Sequence, residues 1–266
     1  PSEVSALARF FRSKSVDPGL EAFADRAIDV VGTGGDRSGS FNISTVSALI
    51  VASAGVPVIK HGNRSITSDS GSADILEHLG IPLTNDPERL KSSMEALGFA
   101  FLFAPAFHPA FKTIMPVRKA LAADGRKTVF NILGPLINPA RPAYQLMGVF
   151  DADWVRPLAD TLTRLGLKRG IVGHSLVNEQ GLDEITPIGN NAIASAGDLD
   201  PEELEGFTSW LKTLRPGSLR DLKGGSTRRN VEILEELLEY RANPVLTDTI
   251  CVNAGAALRI AGNAAS

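Results

Sequence analysis

Residues 30–45 read VVGTGGDRSGSFNIST: an apolar run, four glycines within positions 32–39, then the start of a helical pattern. Such a break and restart is a strand–turn–helix unit, and the unit recurs along the chain. AIDVVG (27–32) reads as a strand and 44–54 as a helix; VPVIKHG (56–62) is a second strand. Helices follow at 71–79 and 87–97, the latter opened by Asp86 as cap and Pro87 as first residue. FAFLFAP (99–105) is a third buried strand and 108–122 a helix, while YQLMGVF and RGIVGHS bracket another. Asp200-Pro201 with Glu203 opens a late helix, and 229–240 and 245–261 close the chain helically. Strands alternating with helices predict an α/β fold, a large mostly parallel sheet flanked by helices. Ligands of such sheets bind beyond the carboxyl ends of the strands, so the glycine loop and KHGNRS face one crevice. Ahead of this unit, 3–12 read as an amphipathic helix and 13–25 as a linker.

Composition narrows the partners. With 27 basic and 30 acidic residues the formal charge is -3, which argues against a nucleic-acid partner; such domains carry a strong basic excess. Cys251 is the only cysteine, so no internal disulfide exists and a reducing, cytoplasmic setting is expected. The N-terminal stretch lacks the long apolar centre of a signal peptide, and the longest apolar stretch, 46–59, is broken by Ser47, Ser53, Gly55 and Pro57. No membrane partner is expected. A first residue of Pro1 and a small polar tail imply that both natural ends lie beyond this sequence.

The glycine loop is neither of two familiar phosphate motifs. The dinucleotide fingerprint fails at its sixth position, Arg37, and the Walker loop fails at Ser40 and Phe41. The loop chemistry nonetheless suits an anion: Gly32, Gly34 and Gly35 let backbone N–H groups approach, and the following helix aims its positive end there. Thr33, Asn42, Ser44 and Thr45 add short polar side chains. A plain turn and helix cap would use the same residues. KHGNRSITSDSGSAD gathers Lys60, His61 and Arg64 at a strand end, then offers Ser68, Ser70, Gly71 and Ser72 as a second cradle; a solvated basic face is the alternative. Two such loops suggest a ligand with two phosphate ends. In GLDEIT, Asp183 and Glu184 suit Mg²⁺, which takes one or two carboxylates plus phosphate oxygens; adjacent surface acids would look the same. His108 and Arg118 flank a helical segment, where arginine can hold a carboxylate, and Gly134-Pro135 in NILGPLINP forms a rigid apolar wall. No nucleophilic triad stands out.

Taken in order, VGTGGD, NIST, KHGNRS, SGSADILEHLG, FLFAP with HPA, PVRK, FNILGPLINP and GLDEI resemble the anthranilate phosphoribosyltransferase family. The resemblance spans about residues 5–261. It implies a small helical domain, with 1–25 its remnant and part of 106–127 packing on it, beside an α/β phosphoribosyltransferase domain over 26–266. It also implies a homodimer and transfer of phosphoribose from phosphoribosyl pyrophosphate to the anthranilate amine. Gly32, Thr33, Gly34, Gly35, Asp36, Asn42, Ser44, Thr45, Lys60, Ser68, Ser70, Gly71 and Ser72 would then bind the donor. Ser44, Asp183 and Glu184 would ligate Mg²⁺, and His61, Gly62, Asn63, His108, Arg118 and Pro135 would meet anthranilate. No general acid or base is assigned, because an arylamine is already a nucleophile.

This sequence departs from the family pattern in its missing N-terminal helices, its missing last helix, a longer 119–130 segment and an extended HSLVNEQGLDE. One rival is a pyrimidine nucleoside phosphorylase on a related fold, which would want a single phosphate site. Another is a non-catalytic nucleic-acid-binding relative, which should have lost the glycine loop or the acidic pair.

Overall fold

The computed structural model describes residues 1–64, 70–124 and 126–262. Helices α1 (Ser2–Ser13) and α2 (Glu21–Ala24) precede β1 (Ile28–Gly32), α3 (Ile43–Ser53) and β2 (Val58–Gly62). Then come α4 (Ser72–His78), α5 (Pro87–Leu97), β3 (Phe99–Phe103), α6 (Ala104–Phe107), α7 (Ala110–Ala123) and α8 (Phe130–Leu133). The chain continues through β4 (Tyr144–Gly148), α9 (Val155–Arg164), β5 (Arg169–Val177), β6 (Gln180–Leu182) and β7 (Asn190–Gly197). It ends with α10 (Phe207–Leu211), α11 (Thr227–Leu238) and α12 (Pro244–Ile260).

Local chemistry sets the bounds of α5. The Asp86 carboxylate accepts the Glu88 N–H at 3.1 Å, Pro87 occupies the first turn, and Gly98 closes the helix in the left-handed region at φ 64°. By contrast α3 has no cap from its own Asn42, so its first N–H groups are available to groups from elsewhere.

Five strands run parallel in the order β3-β2-β1-β4-β5. The chain lays β1, β2 and β3 outward in one direction, then returns to place β4 on the free side of β1. Loops leaving the carboxyl ends of β1 and β4 therefore diverge, and the crevice forms between them. Gly32 and Gly148 are paired at its floor. Alternation divides the strands between two faces. Ile28, Val30, Val58 and Phe101 pack under α3, α4 and α12. Ile59 and Leu102, with Met147 and Val172 farther along, face the opposite side, where Phe107, Phe11 of α1 and Leu133 of α8 cover them.

Three segments differ from the expectation. β7 pairs antiparallel along the outer edge of β5 and β6 along its opposite edge, beyond the end of β4; β7, NNAIASAG, carries little β-propensity. Eight paired residues along β5 hold it in the sheet, a tertiary gain that overrides local preference. The late helix opened by Asp200 is a 3₁₀ turn, Pro201–Leu204, followed by the short α10. The linker contains α2 and is tied down: Leu20 is buried and the Val16 N–H donates to the Phe107 carbonyl at 2.8 Å.

Candidate active site

The glycine loop leaves β1 with Gly34 and Gly35 at φ 66° and 79°, where other L-residues are strained. Its far wall arrives from the other end of the sequence. Asp183 and Glu184 follow β6 and cross the ends of β1 and β4 so closely that a Cβ on Gly148 would lie 1.6 Å from the Asp183 carbonyl oxygen. Once there, the acids cap the loop. Asp183 Oδ2 accepts the Gly34 N–H at 2.6 Å, and Glu184 Oε1 accepts the Ser44 N–H at 3.1 Å, supplying the cap that α3 lacks. Thr33 ties the loop to β4: its N–H donates to the Gly148 carbonyl at 3.0 Å and its Oγ1 accepts the Phe150 N–H at 3.1 Å.

Asp36 completes an acidic corner. Its Oδ1 accepts the Ser38 N–H at 3.1 Å, while its Oδ2 is buried without a hydrogen-bond partner among the described residues. Burial raises the pKa of Asp183, and the charge of Asp36 adds to it; Glu184 is raised well above the carboxylate range by burial and then by Asp183. Lys60, 1% exposed, pulls Glu184 back, and its ammonium donates to the Val30 carbonyl of β1. Beneath it Asp29 is wholly buried, accepting from Asn138 Nδ2 at 3.0 Å and from the His61 N–H at 3.3 Å. Burial pushes Asp29 up to about 6 and Lys60 down, and the attraction between them opposes both shifts.

No group of three or more His, Cys, Asp or Glu among the described residues forms a cage able to hold a metal unaided. The donor set still fits Mg²⁺: hard oxygens, adjacent carboxyl groups whose burial favours the neutral form until a cation offsets it, and an unpaired Asp36 oxygen, beside amides suited to phosphate. Magnesium holds such sites through one or two carboxylates and completes its shell with substrate oxygens and water.

The second loop is less basic than its sequence suggests. Arg64 is held away by Asp74 and Glu77, at 2.8 Å each. Asn63 is exposed, and its carbonyl accepts the Ala73 N–H at 3.2 Å. Gly71 gives its N–H to Asp74 Oδ2 at 2.8 Å, Ser72 begins α4, and Ser70 is buried beside Asn42, whose Nδ2 donates to the Ser70 carbonyl at 3.1 Å. Thr45 is buried, its hydroxyl unpartnered among the described residues. Ser68 lies outside the described residues.

On the other face of the sheet His61 and His108 meet edge to face, ring centroids 5.1 Å apart, with Phe111 next to His108 and Phe130 next to Phe111. His61 Nδ1 lies 3.2 Å from the Gly134 carbonyl, which only accepts, so Nδ1 carries the proton and Nε2 is a bare acceptor. Burial lowers His61 to about 3 and His108 to about 4, so both rings are neutral at pH 7. His61 Nε2 and both ring nitrogens of His108 are buried without hydrogen-bond partners among the described residues. Buried polar atoms of this kind are ones that a polar ligand or an ordered water can satisfy. Pro135 is buried beside them, its carbonyl accepting from Gln145 at 2.8 Å, and Gly62 ends β2. Arg118 belongs to α7; its side chain lies outside the described ones.

Asp29, Asn138 and Gly148 escaped the sequence reading. The acid in the otherwise apolar strand AIDVVG was a usable signal for Asp29. Gly148 had none, because the chain that crowds it comes from Asp183.

The model of the glycosyl transferase family, a/b domain, matches residues 24–266. The anthranilate phosphoribosyltransferase of Deinococcus radiodurans is 43% identical to this chain over 269 residues, 98% of this chain and 75% of the relative. That of Thermus thermophilus is 42% identical over 270 residues, 100% and 76% of the two chains. Among solved structures, the crystal structure of the Thermus thermophilus anthranilate phosphoribosyltransferase superimposes with a TM-score of 0.85 at 41% identity, covering 99% of this chain and 76% of that one. The Saccharomyces cerevisiae enzyme in complex with PRPP and Mg has a TM-score of 0.77 at 25% identity, covering 98% and 71%.

Proposed function

This chain belongs to the anthranilate phosphoribosyltransferase family, and from that premise we propose that it transfers the phosphoribosyl group of phosphoribosyl pyrophosphate to the amine of anthranilate, releasing pyrophosphate in tryptophan biosynthesis. The observation that carries the reading is the meeting of Asp183 and Glu184 with the Gly34 and Ser44 N–H groups, beside a neutral aromatic pocket on the same strand ends. The loop amides and the start of α3 bind the pyrophosphate end, with Asn42, Thr45 and the Ser70–Ser72 cradle beside them. When bound, Mg²⁺ neutralises the departing pyrophosphate, and Ser44, Asp183 and Glu184 are the residues that would hold it.

The chain's own work is largely positioning and charge complementarity. The acceptor enters between His61, His108 and Pro135, whose neutral surroundings keep the arylamine uncharged and nucleophilic. Unpaired imidazole nitrogens orient its polar groups, and Arg118 meets its carboxylate. C1 of the ribose faces the amine as its bond to pyrophosphate breaks, so positive charge develops near Asp36 and the acidic pair. The amine needs no strong base, and none is assigned. A homodimer in the cytosol is the expected setting, and sedimentation equilibrium distinguishes one chain from two.

The test is anthranilate fluorescence in purified protein with phosphoribosyl pyrophosphate, with and without Mg²⁺. Magnesium-dependent decay is expected. Absence of decay, together with phosphorolysis of thymidine or uridine, would overturn the transferase reading.

A further inference from the structure

The two loops assigned to the donor share a strut that the sequence did not advertise. Residues 222–230 run alongside the glycine loop: the Phe41 N–H donates to the Leu222 carbonyl at 2.8 Å, and the Gly224 N–H donates to the Gly39 carbonyl at 3.0 Å. The approach is tight, since a Cβ on Gly224 would lie 2.9 Å from Phe41 Cα. Lys223 reaches back to the Ser38 carbonyl. The segment then turns into α11, capped by Ser226, and one turn later points Asn230 inward at 2% exposure.

The amide of Asn230 is fully committed in direction. Its Oδ1 accepts the Gly225 N–H at 2.8 Å, so its Nδ2 is the end that donates to Asn42 Oδ1, also at 2.8 Å. Asn42, its oxygen taken, gives its own Nδ2 to the Ser70 carbonyl at 3.1 Å. A relay therefore runs from 225 through Asn230 and Asn42 to the second loop. A parallel link joins the same two places, Thr227 Oγ1 to Ser70 Oγ at 3.3 Å. The apolar contacts of α11 that hold it to the body, Ile233 and Leu234 with Phe41 and Leu222, do not need this amide.

We propose that Asn230 is a positioning residue for the phosphoribosyl donor: by orienting the Asn42 amide it fixes the spacing between the glycine loop and the serine–glycine loop that together hold the two phosphate ends. The proposal rests on the donor reading given above. It follows that the acceptor pocket, on the other sheet face, does not depend on Asn230.

Asn230→Asp separates the relay from the fold. The carboxylate keeps the size of the residue and can still accept the Gly225 N–H, but it has no N–H for Asn42 Oδ1 and repels it. Calorimetric titration of phosphoribosyl pyrophosphate with Mg²⁺ into the protein should show donor Kd raised about tenfold or more in the variant, the range seen when groups supporting a ligand shell are lost. The KM for anthranilate should change less than about twofold, a split that a general loss of packing would not produce. Thr227→Val, which removes only the parallel link, should raise donor Kd about threefold, and it serves as the decisive variant where Asn230→Asp does not fold. Donor affinity unchanged in the variant that folds, or donor and acceptor losses of equal size, would overturn the proposal. Wild-type protein that binds no donor would instead remove the donor reading itself, and this inference with it.

Discussion

Lys60 and His61 are adjacent in β2, yet they serve opposite faces of the sheet, and the two faces are built from opposite materials. On the Lys60 side the site is made of backbone N–H groups, three carboxylates and one buried cation, and most of these groups are already hydrogen-bonded to one another. On the His61 side it is made of aromatic rings and two neutral imidazoles with unpaired nitrogens. A polyanion needs many fixed donors and a balance of charge, which bare loops and helix starts supply at little entropic cost. A flat aromatic acid needs a dry slot and a few polar contacts, which side chains supply. The sheet is what lets the two chemistries sit within one strand end of each other without mixing: alternation sends consecutive residues to different solvents.

The sharpest way to break that division is to neutralise the acids without changing their shape. Replacing both Asp183→Asn and Glu184→Gln should lower kcat/KM for phosphoribosyl pyrophosphate on the order of a hundredfold or more, as expected when charge stabilisation at a reacting group is removed. Steady-state kinetics over a magnesium series checks it. Anthranilate binding measured by equilibrium fluorescence should hardly move. An equal loss on both sides would mean that the two halves of the site are one electrostatic unit.

How much of each side could be read beforehand follows from the same contrast. The parallel core, the glycine loop and the GLDEI acids were legible because each is local: strand, turn and helix signals lie within a few residues of one another. That Asp183 caps Gly34 across 149 residues was not legible from spacing, since the contact depends on where β6 turns back along β5. The resemblance to a family grouped Asp183 with the glycine-loop residues at one site, but it did not give this contact. β7 was missed because Asn, Ala, Ser and Gly carry no strand signal, and only its partner makes it a strand. Arg64 was misread for a related reason. It stands with Lys60 and His61 in the basic stretch KHGNR, but its carboxylate partners come from α4, the next helix. The aromatic wall was half visible: FAFLFAP reads as a buried strand and Gly134-Pro135 as an apolar wall, whereas the approach of Phe130 to Phe111 is carried by no local signal.

A smaller effect tests whether the imidazoles of the His61 face are neutral in the fold. Unfolded histidine binds a proton below about pH 6.5, whereas buried His61 and His108 do so only near 3 and 4. Between those limits the unfolded chain takes up more protons, so stability falls as pH is lowered from 7 toward 4. At pH 5 the loss is about 2 kcal/mol for each ring. Asp29, raised to about 6, acts the other way, because the folded form takes up the proton first and the fold gains as pH drops from about 6 toward 4. A His61→Phe, His108→Phe double variant should therefore gain on wild type by at least about 5 °C in Tm between pH 7.5 and pH 5. Parallel melting curves at the two pH values check this, and no change in the difference would mean that the imidazoles are charged in the fold.

The smallest expected effect is also the one that most separates geometry from sequence pattern. Arg64 follows Lys60 and His61 at the end of β2, and a polyanion site that recruited every nearby cation would use it. The structure commits it elsewhere: one guanidinium nitrogen meets Asp74, the other meets Glu77, and Phe103 lies under the group at 5.8 Å. Two acids offset one base, so the local charge seen from the crevice is not positive. Asp74 caps α4 through its other oxygen and the Gly71 N–H, so swinging Arg64 toward a phosphate would leave that cap in place and cost Asp74 and Glu77 their ion pairs. Exposed pairs of this kind are held weakly in water, which makes the outcome informative in either direction. Arg64→Ala should raise the donor KM less than about twofold, within the range of a screened surface charge. A tenfold rise would mean that the arginine leaves its two carboxylates when the donor binds, and that the donor face recruits its cations from outside the sheet rather than relying on backbone amides and Lys60.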